Sequence, residues 1–253
     1  MTRAATRAAW PAAVAAVYEG QLARARTARA PLLFVACLQS LGLLVLLRGV
    51  VDAGDLPEKR QIVAGATVLV VAFVALNLLA QRLGHLRANG GLDYYAALRT
   101  PPSAVVLGTA ASYATFALPG TLVTAVAGAL LYDLPLGGLW VLAPVAVLGG
   151  AALAGVGAVI GLLAPKPEVA TVLGQLGMTL VLFLGLVRPE RMPGAVRVLL
   201  AVVPSTYAVD ALRVSFARPF DGVDVARDLA ICATVAAVTL ALASLAFRRA
   251  AAR

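Results

Sequence analysis

Six long apolar runs fill most of this chain, at residues 31–51, 62–80, 103–131, 138–164, 169–187 and 229–247. Each has about the ~20 residues that, at 1.5 Å of rise, cross a ~30 Å hydrocarbon core. Mean hydropathy is +0.92 and charged residues make up 13%, against about 25% in soluble domains. Too little polar surface is left to solvate a water-soluble globule. The pattern predicts an all-α integral membrane protein with six transmembrane helices.

The spans and their connectors nearly exhaust the 253 residues, so residues 1–253 are expected to form one membrane domain with no separate soluble domain. The net charge of +9 is not a nucleic-acid signal here. Its arginines stand at span ends and in connectors, where they anchor helices and meet anionic headgroups. Nineteen of the 21 basic residues are Arg, beside Lys59 and Lys166. With the heavy Ala content, this points to a high-GC bacterial coding bias and a bacterial inner membrane. The first 30 residues lack a compact apolar core before Pro31, so no cleavable signal peptide is expected. Cys37 and Cys232 fall in the first and last spans at depths about 15 Å apart, beyond the ~7 Å Cα separation of a disulfide. Both are expected as free thiols.

The charge bias sets the expected orientation. With both termini in the cytoplasm, the inner side carries 12 Lys and Arg. The outer side carries three, or nine once the connector 188–228 is included, and this favours cytoplasmic termini. Before the first span, Trp10, Val14, Val17, Tyr18 and Leu22 recur at helical spacing, with Glu19 opposite. This predicts an amphipathic helix lying in the headgroup region, apolar side down, with Arg24, Arg26 and Arg29 near the phosphates.

Three stretches punctuate the spans. Gly90 and Gly91 precede Leu92 to Thr100, and Pro101 and Pro102 follow. Such bounds isolate a short helix, with Leu92, Tyr95 and Arg99 on one side and Tyr94 and Leu98 on the next. Two tyrosines and a leucine beside water suit a docking surface better than a plain connector. Pro119 and Gly120 in the third run permit a kink or break. Gly157 and Gly161, at GxxxG spacing in the fourth, admit a close neighbouring helix. Pro193, Pro204 and Pro219 cut the connector before the last span into pieces too short to cross a membrane and too apolar for a free loop. Two re-entrant or interfacial outer helices are expected, the second with Asp210 and Arg213 at pairing distance.

Catalytic sets are missing. His85 is the only histidine and lies in a connector, so a nucleophile within the membrane has no histidine base. There is no CxxC or HExxH. Tyr132-Asp133 lacks a second aspartate motif of GxGD type, and Asp133 reads as a helix-end acid. Span centres hold only neutral polar groups such as Gln39, Ser40, Asn77, Thr124, Thr171, Gln175 and Thr179. They can bond between helices or line a passage, whereas coupling-ion sites use ionisable groups at depth. No GxxxxGK[ST] loop is present, so energy for transport must come from another polypeptide.

The run Gly91-Leu92-Asp93-Tyr94-Tyr95-Ala96-Ala97-Leu98-Arg99-Thr100-Pro101 resembles the coupling segment of the membrane-spanning (permease) subunits of type-2 ATP-binding-cassette exporters. The tract from Gly185 through Pro189, Met192-Pro193 and Pro204-Ser205-Thr206-Tyr207 to Ala211-Leu212-Arg213 is similar to that family's outer helices. The resemblance implies an N-terminal surface helix, six spans, two permease copies or homologues, and two cytoplasmic ATPase subunits that bind ATP and Mg. No cofactor is then expected on this chain. By position it implies that Leu92, Asp93, Tyr94, Tyr95, Leu98 and Arg99 contact the ATPase. The second and fifth spans line the path, with Asn77, Thr171, Gln175 and Thr179 as candidates, and Pro193, Pro204, Tyr207, Asp210 and Arg213 belong to the outer re-entrant segment. Family members often have Glu where Asp93 stands, a change that keeps the charge. A hydrophobic or amphipathic cargo such as a drug, lipid or polymer suits the small outer portion. A membrane scaffold without a passage is the alternative from another class.

Overall fold

The computed structural model describes residues 10–24, 29–49, 56–98, 100–186, 203–217 and 221–251. Among them the helices are α1 (Trp10–Arg24), α2 (Arg29–Arg48), α3 (Leu56–Ala88), α4 (Gly91–Ala97), α5 (Pro102–Leu131), α6 (Leu136–Leu163), α7 (Pro167–Leu186), α8 (Pro204–Ser215) and α9 (Gly222–Ala251). Five of them, α3, α5, α6, α7 and α9, are long and apolar enough to cross a membrane. The first expected span is helical in α2, where the described apolar stretch is the shorter Phe34–Arg48. The second span begins earlier than hydropathy alone suggests, at Leu56, because Glu58, Lys59 and Arg60 fit into its first turns. For a similar reason α9 starts at Gly222 and takes Asp224, Arg227 and Asp228 into its first turns.

The core is α3. Nearly every residue from Gln61 to Val71 is buried, and α2, α5, α6, α7 and α8 pack around it. Such close assembly requires small residues, since lipid and protein interior are equally apolar and only fit distinguishes them. Gly157 of α6 faces the carbonyls of Ala75 and Leu76, and Gly161 faces that of Ala80. The GxxxG pair thus serves close packing on α3, as its spacing predicts. Toward the start of α3, Gly65 meets Gly185 of α7, backbone against backbone, and Gln61 Nε2 donates to Gly185 O at 2.9 Å.

Within α3, Ala72–Leu78 is π-helical. Widening the helix there needs room, and the neighbours supply it: besides Gly157, Gly174 and Gly177 of α7 stand against Asn77 and Leu76. By contrast α5 runs through Pro119 as one helix, so of the kink or break that Pro119 and Gly120 permit, the break is not formed. Neighbouring helices pack along α5, and Gly120, Thr121 and Thr124 are buried.

The amphipathic α1 is docked on protein rather than resting on lipid alone. Ala13, Val17 and Gln21 are buried, and a Cβ at Gly108 of α5 would stand 2.8 Å from both Val14 O and Val17 Cβ. Trp10 Nε1 donates to Ser103 Oγ at 3.0 Å, and Tyr18 and Thr115 hydroxyls lie 3.2 Å apart. Arg26 and the side chains of Arg24 and Arg29 lie outside the described residues. Both cysteines are free, Cys37 Sγ donating weakly to Gly120 O and Cys232 Sγ to Pro204 O.

Candidate coupling surface and membrane path

The short helix between α3 and α5 forms as its flanking glycines predict. Gly90 takes φ +67°, a left-handed value that suits glycine, and its carbonyl accepts from Asp93 N at 3.1 Å. That reversal sets α4 against the end of the bundle. Leu92 and Tyr95 then point inward at 3% and 8% exposure, while Tyr94 and Leu98 remain 58% and 57% exposed beside exposed Asp93. Spacing puts Leu92 and Tyr95 on one side of the helix and Tyr94 and Leu98 on the next, and the structure keeps that division: Leu92 and Tyr95 brace the helix in the core, and Asp93, Tyr94 and Leu98 stand exposed. Gln21 Nε2 of α1 donates to Tyr95 Oη at 3.4 Å, and the Tyr94 and Tyr95 rings meet edge to face at 5.7 Å. Arg99 lies outside the described residues.

Of the candidate path residues, the structure brings Asn77 and Gln175 together. Asn77 Nδ2 donates to Gln175 Oε1 at 3.3 Å, and Asn77 Oδ1 accepts from Gln81 Nε2 at 3.0 Å. Gln81 was missed because it stands at the edge of an apolar run; its i, i+4 spacing from Asn77 was the available signal. Thr171 and Thr179 flank Gln175 at one turn on either side, and their hydroxyls bond to Pro167 O and Gln175 O within α7. Together they form a neutral polar stripe that leaves the bundle surface at exposed Gln175. Ser40 and Thr124 are buried elsewhere, and their hydroxyls have no hydrogen-bond partner among the described residues.

At the opposite end, α8 is the second of the expected outer helices. Pro204 occupies its first turn, where a missing N–H costs nothing. Ala208, Val209, Ala211 and Leu212 are buried against the ends of α3, α6, α7 and α9. Tyr207 is half-buried against the core. Asp210 and Arg213 pair at 3.2 Å, as their spacing predicts. On α9, Arg227 bonds to Asp224 at 3.0 Å and to buried Asp228 at 3.3 Å. Pro193, and with it the other expected outer helix, lies outside the described residues. Asp133 is exposed at φ +56° just past the end of α5, which is the position of a helix-end residue.

A braced peg between the second and third spans, a glycine-packed bundle and a short helix folded back before the last span now stand in one chain. The family model for the ABC-2 type transporter matches residues 17–217. The chain belongs to the ABC-2 type transporter family. It is a multi-pass permease component of an ABC transporter, and permeases of this kind are generally paired with an ABC ATPase and often dimerise. No curated protein matches the permease sequence.

Proposed function

We propose that this permease exports a hydrophobic or amphipathic cargo across a bacterial inner membrane, driven by ATP and Mg bound on two copies of a separate cytoplasmic ATPase. Both termini and α4 face the cytoplasm, in keeping with the excess of Lys and Arg on that side. The observation that carries the reading is the division of α4. A helix of seven residues has little stability of its own, yet buried Leu92 and Tyr95 hold it so that Asp93, Tyr94 and Leu98 face water. Exposed aromatic and aliphatic groups beside a charge suit a protein partner. Force on that face passes into α3, whose π-helical segment carries Asn77 to the polar stripe of α7. A second permease copy, or a homologue, lies against that stripe, because lipid offers the N–H groups of exposed Gln175 no acceptor.

Mild-detergent purification of the tagged permease from its host, followed by mass spectrometry of stoichiometric partners, tests this directly. An ATPase with a Walker A loop should copurify, and changing Tyr94 and Leu98 to Arg should release it while the permease stays folded. Recovery of the intact permease without any ATPase in several mild detergents would favour a membrane scaffold instead.

A further inference from the structure

The peg is joined covalently only to α3 and α5, through Asn89–Gly90 and Thr100–Pro101. The spans α6 and α7, the second of which carries the polar stripe, are not joined directly to it. Movement of the peg along α3 reaches them through the packing of α3 against both. One contact stands at the right place. Arg87, on the last turn of α3, donates from Nη1 to Leu162 O at 2.9 Å and to Ala164 O at 2.6 Å.

Those carbonyls end α6, where later helical N–H groups are lacking and the helix dipole is negative. A half-buried guanidinium giving two charge-assisted bonds there closes α6 and fastens α3 to it. The same end of α3 fits the α6–α7 turn without gaps: a Cβ on Gly84 would stand 2.7 Å from Ala170 Cβ, and one on Gly161 would stand 2.9 Å from Leu83 Cβ. Outward of this block α3 becomes π-helical at Ala72–Leu78.

We propose that Arg87 is a positioning residue for coupling. It binds the peg end of α3 to the α6–α7 turn, so that displacement of α4 carries the near ends of α6 and α7 with it. The proposal rests on the reading of α4 as the ATPase contact.

Hydrogen exchange of the whole permease–ATPase complex, with and without ATP trapped by vanadate, tests it. In the wild type, amides of 89–98 and of 162–170 should both change their exchange rate on trapping, by threefold or more. In Arg87→Ala the change at 89–98 should persist while that at 162–170 falls by at least half, and Arg87→Lys, which keeps the charge and the donors, should restore part of it. A merely structural role would raise exchange at 162–170 in both states and leave the response to trapping intact, which would overturn the proposal. A wild-type complex in which 89–98 responds and 162–170 does not would overturn it too. If neither segment responds in a complex that hydrolyses ATP, the reading of α4 fails, and the proposal with it. Should Arg87→Ala not assemble, Arg87→Gln, which keeps a donor without the charge, is read in the same way.

Discussion

Asn77 of α3 and Gln175 of α7 share a hydrogen bond of 3.3 Å at the point where α3 widens into its π-helical segment. An amide pair in an apolar bundle is a register mark, since sliding either helix by one turn breaks the bond between them. Interhelical bonds of this kind contribute about 0.6 kcal/mol on average and up to about 2. Asn77→Leu should therefore lower stability in detergent by about 1–2 kcal/mol, more than Gln175→Leu, because half-buried Gln81 loses its acceptor only in the first. Thermal unfolding of the two variants and of the double variant gives the coupling between them. Additive losses would mean that the bond contributes nothing.

Glycines in contact and glycines in open space should respond oppositely. A Cβ at Gly157 meets the carbonyls of Leu76 and Ala75, whereas among the described residues nothing lies within 4 Å of one at Gly42. Gly157→Val should cost about 1–3 kcal/mol or prevent assembly, and Gly42→Ala should be neutral or stabilise by up to about 1 kcal/mol. Equal yields and equal melting temperatures for the two variants would contradict the packing described.

The two faces of the peg predict two kinds of defect. Leu92→Ala empties a buried site and should lose about 2–5 kcal/mol, with a lower melting temperature for the isolated permease. Tyr94→Ala and Leu98→Ala should leave that temperature within about 2 °C of the wild type, given surface effects within about ±0.5 kcal/mol. They should instead weaken ATPase retention during purification. A stable Leu92→Ala would place that side chain outside the core.

Tyr132 makes a pH-dependent tie at the end of the bundle away from α4. Its hydroxyl donates to Leu44 O at 2.8 Å, and burial pushes the phenol above its ordinary value while nearby Arg48 pulls it back. The folded chain thus holds the phenolic proton more tightly than the unfolded chain. Stability from this group is complete below pH of about 10 and declines as pH rises past the unfolded value toward the folded one. Unfolding followed from pH 8 to 11 should show that decline in the wild type and a smaller one in Tyr132→Phe. The variant should also be about 1 kcal/mol less stable at neutral pH. Identical pH profiles would show that another group is responsible.

Much of the architecture could be read from residue order because its causes are local. Glycines before Leu92 and prolines after Thr100 bound α4, and the prolines between α7 and α9 set off α8. Gly157 and Gly161 foretold a close helix contact without naming the partner. The presented face of α4 was legible only in part: spacing separates Leu92 and Tyr95 from Tyr94 and Leu98, yet both pairs are apolar enough to be either core or contact.

The sequence by itself determined that this chain lives in a membrane, roughly where it crosses, and where short helices interrupt the crossings. Hydropathy measures transfer out of water, and that cost depends on each residue alone. The tertiary structure decided which faces meet. It docked α1 on Gly108, carried α5 through Pro119, paired Asn77 with Gln175 and sent Arg87 to the end of α6. Lipid and protein interior are equally apolar, so periodicity cannot choose between them. Only the fit of distant backbones, small residue against carbonyl and donor against acceptor, makes that choice.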